Sequence, residues 1–308
     1  MNNKVIKIIG LGKAGCNSLN HLNKTSIVKA ETWLIDTDKE ILLQSHASNK
    51  LQIESKLISG FSVKGNPAIS KLDVESRCEI IKILKNTDLV FIIAGMGRST
   101  GTNLAPIIAK EAKEMGCLTI GVVTQPFSFE GSRCFNQGKE GVNNLKKTVD
   151  TAIVISNDRL LVNITRTISL QKIFALADDI ICQAIQTILY PITISGLIDL
   201  DFIELKNLMK NRGLARIGIG KSSGKSKLMD AAKLAISSPF LESSIEKAKK
   251  IIFNITGSND LSLNEITGTA QIIYDRLDSD SKIIFGAQID ERMVNQVKVN
   301  LITTDFTS

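Results

Sequence analysis

The fold is decided by one stretch, Leu89-Val-Phe-Ile-Ile-Ala-Gly95-Met-Gly97-Arg-Ser-Thr100-Gly101-Thr102-Asn-Leu-Ala-Pro106. Its first six residues are apolar, which predicts a strand buried on both faces. A cluster of glycine, serine and threonine follows, and a helical pattern then occupies residues 107–115. This order predicts a phosphate-binding site, because backbone N–H groups and the positive end of the helix converge on an anion. Thr100 and Thr102 add hydroxyl donors.

A second glycine motif lies near the N-terminus, where Gly10-Leu-Gly12-Lys-Ala-Gly15 follows a buried strand predicted over residues 5–9. Taken alone it matches the dinucleotide fingerprint, and Asp36 ends another strand about 20 residues on, where such proteins bind a ribose. An NAD-dependent oxidoreductase is therefore one interpretation. The glycine loop after Ile93 argues against it, because a dinucleotide fold does not need a second loop of this kind.

The loop that follows Ala94 resembles the glycine-rich signature of FtsZ, the bacterial and plastid relative of tubulin. Similar stretches follow in FtsZ order and spacing nearly to the end of the chain: Phe127-Ser-Phe-Glu-Gly131, Ile155-Ser-Asn157-Asp-Arg-Leu-Leu161, Leu200-Asp201-Phe202, Ile236-Ser-Ser-Pro-Phe-Leu-Glu242 and Ile252-Phe-Asn-Ile-Thr-Gly257. The Gly-Lys-Ser repeat at residues 220–226 and the stretch at residues 253–261 look more like cyanobacterial and plastid FtsZ than other bacterial ones.

The length of 308 residues predicts two lobes. The resemblance implies an α/β, tubulin/FtsZ-like fold with an N-terminal, mostly parallel, doubly wound sheet, a long central helix and a smaller α/β C-terminal domain. We expect a GTP-binding domain over residues 1–167, the central helix over 168–191 and the C-terminal domain over 192–308. In that last domain, helices over 228–236 and 263–277 alternate with strands over 250–255, 282–289 and 297–303, as in an α/β lobe.

The resemblance also implies which residues bind GTP. Asn17 would reach the base with its amide, although a first-turn asparagine can also cap its own helix. Glu130 and the position of Cys134 would hold the ribose and phosphates, and Asn157 would contact the nucleotide. The phosphates would lie against two loops made of Gly12, Lys13, Ala14, Gly15, Cys16 and Asn17, and of Gly95, Gly97, Arg98, Ser99, Thr100, Gly101, Thr102 and Asn103.

Base recognition is expected on the long helix, whose apolar residues recur at helical spacing from Leu170 to Ile188 and which Pro191 is expected to end. Phe174 and Asp178 are four residues apart and share a face. An aromatic ring stacks on a purine, and a carboxylate accepts from the two adjacent N–H donors of guanine. The alternative is that Phe174 is a core residue and Asp178 is a first-turn acid favoured by the helix dipole.

The resemblance further implies that Asp201 and Glu204 are the catalytic residues, and the two lie three residues apart on one helical face. In FtsZ this loop inserts into the nucleotide pocket of the next subunit, and two acids position the attacking water. Acids that cap a helix are the alternative. The family has aspartate in place of Glu204, and about 1 Å of misplacement can cost on the order of a hundredfold in rate.

Other positions also depart from the FtsZ pattern, with Cys134 in place of arginine and Asp36 and Asp199 each in place of asparagine. Glycines are replaced by Arg98, Ser99 and Asn103, and side chains at the first two are costly if the backbone there needs a positive φ. Arg98 could instead donate to a phosphate oxygen. These departures leave open a structural co-polymer with little or no GTPase activity that assembles with another FtsZ.

The partners and cofactors follow from the same resemblance. The protein would bind GTP with Mg²⁺ on the phosphates and no dedicated metal ligands, hydrolyse it to GDP, and form head-to-tail homopolymers in the division ring. The chain stops at Ser308 without a tail peptide, so we expect no direct membrane anchor and a second, tailed FtsZ or another division-ring protein as partner. The expected compartment is the bacterial cytoplasm or the plastid stroma.

Composition limits the remaining options. The net charge of +7 is carried by dispersed lysines without a nucleic-acid motif, so no nucleic-acid partner is expected. Five scattered cysteines predict free thiols in a reducing compartment. We expect no leader before the first strand, and no apolar run in the sequence approaches membrane-spanning length. Residues 52–70 are interpreted as a surface connection, and residues 218–226, which lack the glycine of a P-loop, as a basic surface loop.

Overall fold

A computed structural model describes residues 4–24, 30–54, 74–163, 168–193, 201–241 and 244–306. The chain forms two compact units, Met1–Cys182 and Gln183–Ser308. Asp199 lies outside the described residues, as does most of the surface connection expected over residues 52–70. All five cysteines are free thiols, as the sequence predicts.

The first unit is built on a parallel sheet in which the strands occur in the order β3-β2-β1-β4-β5-β6. Its central strands are buried along almost their whole length, which explains their uninterrupted apolar sequence. The strand order reverses between β1 and β4, and ligands of open α/β sheets bind at the carboxyl ends of the strands at such a point. The strands are β1 Ile6–Leu11, β2 Glu31–Asp36, β3 Asn49–Gln52, β4 Leu89–Gly95, β5 Leu118–Gln125 and β6 Thr151–Ser156.

Seven helices begin in this unit among the residues that the structure describes. The helix over Ser132–Thr148 was not predicted from the sequence, because few large apolar residues mark its buried side. That side consists of Gly138, Gly141, Val142 and Leu145. The helices are α1 Gly12–Lys24, α2 Lys39–Leu43, α3 Val74–Leu84, α4 Ser99–Glu114, α5 Ser132–Thr148, α6 Asn157–Leu160 and α7 Leu170–Thr193.

Two boundaries around the glycine loops differ from the sequence prediction. Strand β1 extends to Leu11 rather than residue 9, because Gly10 and Leu11 continue the parallel pairing with β4. Helix α4 begins at Ser99, eight residues before the predicted pattern, and contains Pro106 in its interior. The amide of Thr102 donates to the carbonyl of Arg98 at 3.2 Å, which is a helical hydrogen bond. The signature residues therefore form the first turns of the helix.

Helix α7 corrects two further expectations. It continues two residues past Pro191, where a proline removes one helical hydrogen bond but keeps a helical φ, and Thr193 Oγ1 donates to the Leu189 carbonyl at 2.8 Å. By length and composition the helix could cross a membrane, although the sequence suggested no run of that length. However, 72% of its most apolar window is buried inside the protein, as in the core helix of a globular fold.

The second unit contains a four-stranded sheet with the order β7-β10-β8-β9. Strand β10 is antiparallel to β7 and β8, whereas β8 and β9 are parallel. Phe253, Leu301 and Ala231 belong to its apolar core. Its elements are α8 Phe202–Met209, β7 Gly213–Ser223, α9 Lys227–Ile236, β8 Ala248–Gly257, α10 Leu263–Tyr274, β9 Lys282–Ile289 and β10 Gln296–Phe306.

The prediction of a basic surface loop at residues 218–226 is wrong. Residues up to Ser223 belong to β7, and Gly220 pairs with Val299 of β10. A side chain at Gly220 would meet the backbone of α9, at the carbonyl oxygen of Ala231 and 2.5 Å from the amide nitrogen of Ala235. Glycine is therefore used here to bring a helix close to a sheet, and not to make a loop.

We expect Gly220→Ala to destabilise the protein by about 2–3 kcal/mol, because the added methyl group cannot displace backbone atoms of α9. The matched control is Gly268→Ala inside α10, where an added Cβ meets no atom within 4 Å. That substitution should stabilise by about 0.5–1 kcal/mol, because alanine favours a helix over glycine. Urea denaturation measures both, and a Gly220→Ala protein as stable as the wild type would contradict this packing.

Candidate functional site

The two glycine loops lie side by side at the carboxyl edge of the first sheet. A Cβ on Gly12, which has a φ of +69°, would be 3.4 Å from the Cβ of Thr100, and one on Gly95 would be 2.8 Å from the Cβ of Ala14. The first N–H groups of α1 and α4 have no partner within their own helices. Arg98, the N-cap residue of α4, makes no side-chain cap hydrogen bond. Two helix N-termini therefore present backbone donors to one region, which favours an anion.

The loop after β4 is held in one conformation by close packing. Gly97 has a φ of +103°, and a Cβ there would be 2.8 Å from Cys134 Sγ. Its amide donates to Thr102 Oγ1 at 2.9 Å, so the hydroxyl of Thr102 satisfies a buried backbone group. A Cβ on Gly101 would lie 2.5 Å from the carbonyl oxygen of Gly95. Gly97 and Gly101 therefore stay glycine at positions where a side chain would strain the backbone or collide with neighbouring atoms.

The strain that the sequence suggested at Arg98 and Ser99 is not present. Arg98 has a φ of −117° and Ser99 begins the helix, so neither needs a left-handed backbone. Among the described residues, the non-glycine positions with positive φ are Asn86, Asn211 and Asn295. The departures from glycine in the signature loop are therefore compatible with its conformation.

Glu130 links the loop to the start of α5. Its Oε1 accepts from the amide of Phe127 at 3.0 Å, and its Oε2 lies 3.8 Å from Arg98 Nη2 and 4.0 Å from Cys134 Sγ. Because Arg98 is 85% exposed, this ion pair adds little stability. Burial, with a further contribution from Glu130, raises the pKa of the Cys134 thiol. A guanidinium therefore reaches Glu130 from position 98, while position 134 carries an uncharged thiol.

An exposed aromatic ring stands at another part of the site. Phe174 is 41% exposed, so the interpretation as a core residue is wrong. Its ring makes a T-shaped contact with the ring of Phe127 at a centroid distance of 5.7 Å. Phe127 is fully buried and stacks on Phe129 at 4.8 Å. This support fixes the ring of Phe174 while leaving one side open. The sequence did not identify Phe127 as its support.

Asp178 lies in the third turn of α7, so the interpretation as a first-turn acid is also wrong. Its Oδ1 accepts a hydrogen bond from Ser18 Oγ at 2.7 Å. Partial burial raises the pKa of the Asp178 carboxyl, while the Ser18 hydrogen bond and the charge of His21 oppose the rise. Ser18 was not predicted to contribute. It is a polar residue on the buried side of α1, which it shares with Cys16, Leu19 and Leu22.

Two buried oxygens near the strand ends have no hydrogen-bond partner within the described part of the chain, Asn157 Oδ1 and Asp36 Oδ2. Asp36 is 1% exposed, and its Oδ1 already accepts from the amides of Thr37 and Asp38. Burial raises the pKa of this carboxyl. A side chain so enclosed is poorly placed to bind a ribose, which weakens the dinucleotide interpretation.

The other predicted residues of the first loop differ in exposure. Lys13 and Asn17 are exposed, and Lys13 Nζ donates to Gln44 Oε1 at 2.5 Å. Cys16 is fully buried with its Sγ 3.6 Å from the Ile41 carbonyl, so it can contribute to a phosphate site only through its backbone.

The predicted catalytic acids belong to the second unit. Asp201 is the N-cap of α8 and accepts from the Ile203 amide at 3.2 Å, which confirms the capping interpretation for this residue. Glu204 lies in the first turn of the same helix, and both acids are exposed. Within the described ranges no group of three or more His, Cys, Asp or Glu side chains could hold a metal ion.

Each of the two units matches a model of a known protein family. Residues 5–165 match the model described as the Tubulin/FtsZ family, GTPase domain, and residues 213–307 match the FtsZ family, C-terminal domain.

Solved structures agree with this result. The chain is 36% identical to an FtsZ dimer from M. jannaschii, with a TM-score of 0.90 over 98% of this chain and 88% of that one. A W319Y mutant of the same FtsZ gives 37% identity and a TM-score of 0.90 over 98% and 91%. CetZ2 from Haloferax volcanii, at 15% identity, shares the fold with a TM-score of 0.77 over 97% and 92%.

We expect Thr102→Val to destabilise the protein by about 1–3 kcal/mol, because it keeps the side-chain shape but leaves the buried amide of Gly97 without an acceptor. Thr102→Ser keeps the hydroxyl and removes only a methyl group, so it should cost about 1 kcal/mol or less. Chemical denaturation of both variants tests whether the hydrogen bond between the Gly97 amide and Thr102 Oγ1 stabilises the loop. A valine variant as stable as the wild type would show that the hydrogen bond does not hold the loop.

Proposed function

This chain belongs to the tubulin/FtsZ family, and on that premise we propose that it binds GTP, assembles into head-to-tail filaments at a division site and hydrolyses GTP where two subunits meet. One observation carries the proposal. Two glycine loops, each leading into a helix, meet at the point where the strand order reverses, with Gly12 against Thr100. A polyphosphate can be bound there through backbone N–H groups, which the side-chain departures do not remove.

The nucleotide would extend from the phosphate loops towards α7. Phe174 supplies an exposed ring for the purine, and the Asp178 carboxylate can accept from guanine N1–H and N2–H. Adenine carries an acceptor at N1, so the same carboxylate disfavours it. Asn157 fits as a further contact, because its buried Oδ1 lacks a protein donor among the described residues.

Mg²⁺ fits this arrangement without a dedicated protein cage. The ion needs few protein ligands when it is bound to phosphate oxygens. We therefore expect it to enter with the nucleotide, where it neutralises charge on the phosphates.

Hydrolysis would be completed in trans by Asp201 and Glu204 of a neighbouring subunit. Both acids are exposed at the start of α8, where a second copy can reach them. The cap that Asp201 provides to its own helix holds one of its oxygens in place, and the other can accept from a water molecule. Catalysis then consists of positioning and electrostatics on the phosphoryl group.

A structural co-polymer with little hydrolysis is the second candidate. The observation in its favour is local, since position 134 carries a thiol of raised pKa and no positive charge. In that case GTP binding and assembly persist, and only phosphate release is lost.

A second FtsZ-type partner and the plastid stroma stay predictions, as does the division of the chain into a GTP-binding domain, a helix and a C-terminal domain at residues 167 and 191.

The trans mechanism is tested by Asp201→Asn and Glu204→Gln. Each removes a charge and keeps the side-chain size, and asparagine also preserves the N-cap. We expect each variant to bind GTP as the wild type does and to release phosphate on the order of a hundredfold more slowly. Mixed with the wild type, each should lower turnover by more than dilution alone. The matched control is Asp230→Asn, an exposed first-turn acid of α9.

Asp230→Asn should leave turnover unchanged. If each α8 variant lowers phosphate release in mixtures only in proportion to its share of the protein, the site is complete within one subunit and the trans assignment is wrong.

The arginine that serves the phosphates can be identified by comparing two variants. Arg98→Ala should weaken GTP binding by about five- to tenfold, because Arg98 lies beside Glu130 at the start of α4 and can donate a charge-assisted hydrogen bond. Arg133→Ala, an exposed neighbour of Cys134, should bind GTP normally. Isothermal titration at low and physiological salt measures both affinities. The reverse result would give the role to Arg133.

A further inference from the structure

The contact between Ser18 and Asp178 joins residues 160 positions apart, and sequence reasoning did not anticipate it. Ser18 is fully buried in α1, and its hydroxyl donates to Asp178 Oδ1 at 2.7 Å. Among the described residues, Ser18 is the one side chain that donates a hydrogen bond to this carboxylate. The terminal torsion of an aspartate is broad, so an unbound carboxylate samples many orientations. The hydrogen bond from Ser18 selects one of them.

The neighbouring groups do not provide the same restraint. His21 Nε2 lies 3.5 Å from Asp179 Oδ1, and Cys182 Sγ contacts the backbone carbonyl of Ser18 at 3.5 Å. These contacts also join α1 to α7, but neither reaches the carboxylate of Asp178. Ser18 therefore acts on Asp178 in a way that can be separated from the packing of the two helices.

We propose that Ser18 is a positioning residue for base selection, which orients the Asp178 carboxylate so that it accepts from guanine N1–H and N2–H together. The proposal rests on the proposed GTP-binding function. A carboxylate oxygen has two lone pairs, so Oδ1 can accept from Ser18 and still face the base with its second lone pair. Because ATP offers no matching pair of donors, Ser18 should matter for GTP and not for ATP.

The test measures GTP and ATP affinity for the wild-type protein and three variants. Ser18→Ala should lower GTP affinity by about three- to tenfold, the effect of one hydrogen bond, and leave ATP affinity unchanged. Ser18→Cys, which keeps the size and a weak donor, should fall between the wild type and Ser18→Ala. Asp179→Asn, which alters the contact of Asp179 with His21 between the same helices, should keep the wild-type ratio of GTP to ATP affinity.

If Ser18→Ala leaves the ratio of GTP to ATP affinity unchanged, the proposal is wrong. It is also wrong if Asp179→Asn lowers this ratio as much as Ser18→Ala does. Either result would mean that the contact between Ser18 and Asp178 only packs the two helices. A double-mutant cycle gives an independent measurement. In an Asp178→Ala background, removing the Ser18 hydroxyl should change neither affinity, and an additive loss would also contradict the proposal. A wild-type protein without preference for GTP would instead refute the proposed function.

Discussion

The structure of the first unit depends on how closely backbone approaches backbone at the ends of β1 and β4. A Cβ on Gly15 would lie 2.6 Å from the carbonyl carbon of Gly10, and one on Gly101 would lie 2.5 Å from the Gly95 carbonyl oxygen. No side chain can stand between these segments, so α1 and α4 begin directly against the strands. The N-termini of both helices consequently open into the crevice where the strand order reverses.

This constraint explains why the loop accepts side chains that the FtsZ signature lacks. The backbone requires glycine where it contacts another segment or has a positive φ, as at Gly97 and Gly101. Arg98 and Ser99 are exposed and have no such requirement. A guanidinium also reaches Glu130 from position 98, although position 134 itself is a cysteine. We therefore propose that nucleotide binding through the backbone tolerates these changes better than hydrolysis, whose geometry would depend on single side chains such as Glu204.

Sequence patterns predicted those features of the fold and the site that depend on residues close together in the chain. The apolar run of β4 follows from burial on both faces, and the shared face of Phe174 and Asp178 follows from helical spacing. The start of α4 was missed because Gly101 and Pro106 are poor helix formers, and packing at the loop overrides that preference. The glycines of β7 suggest a loop when only nearby residues are considered. They are required because the backbone of α9, which lies later in the chain, packs directly against them. Ser18 carried no local signal, since its partner lies on α7.

We propose that the hydrolytic site is complete only where two subunits meet. The most direct measurement is phosphate release per subunit, with GTP and Mg²⁺, over a wide range of protein concentration. We predict almost no turnover in dilute protein and a constant turnover per subunit above a critical concentration, because Asp201 and Glu204 then reach a neighbour's nucleotide. Turnover per subunit that is independent of dilution would contradict the shared site. Assembly without phosphate release at any concentration would show that the protein is a structural polymer.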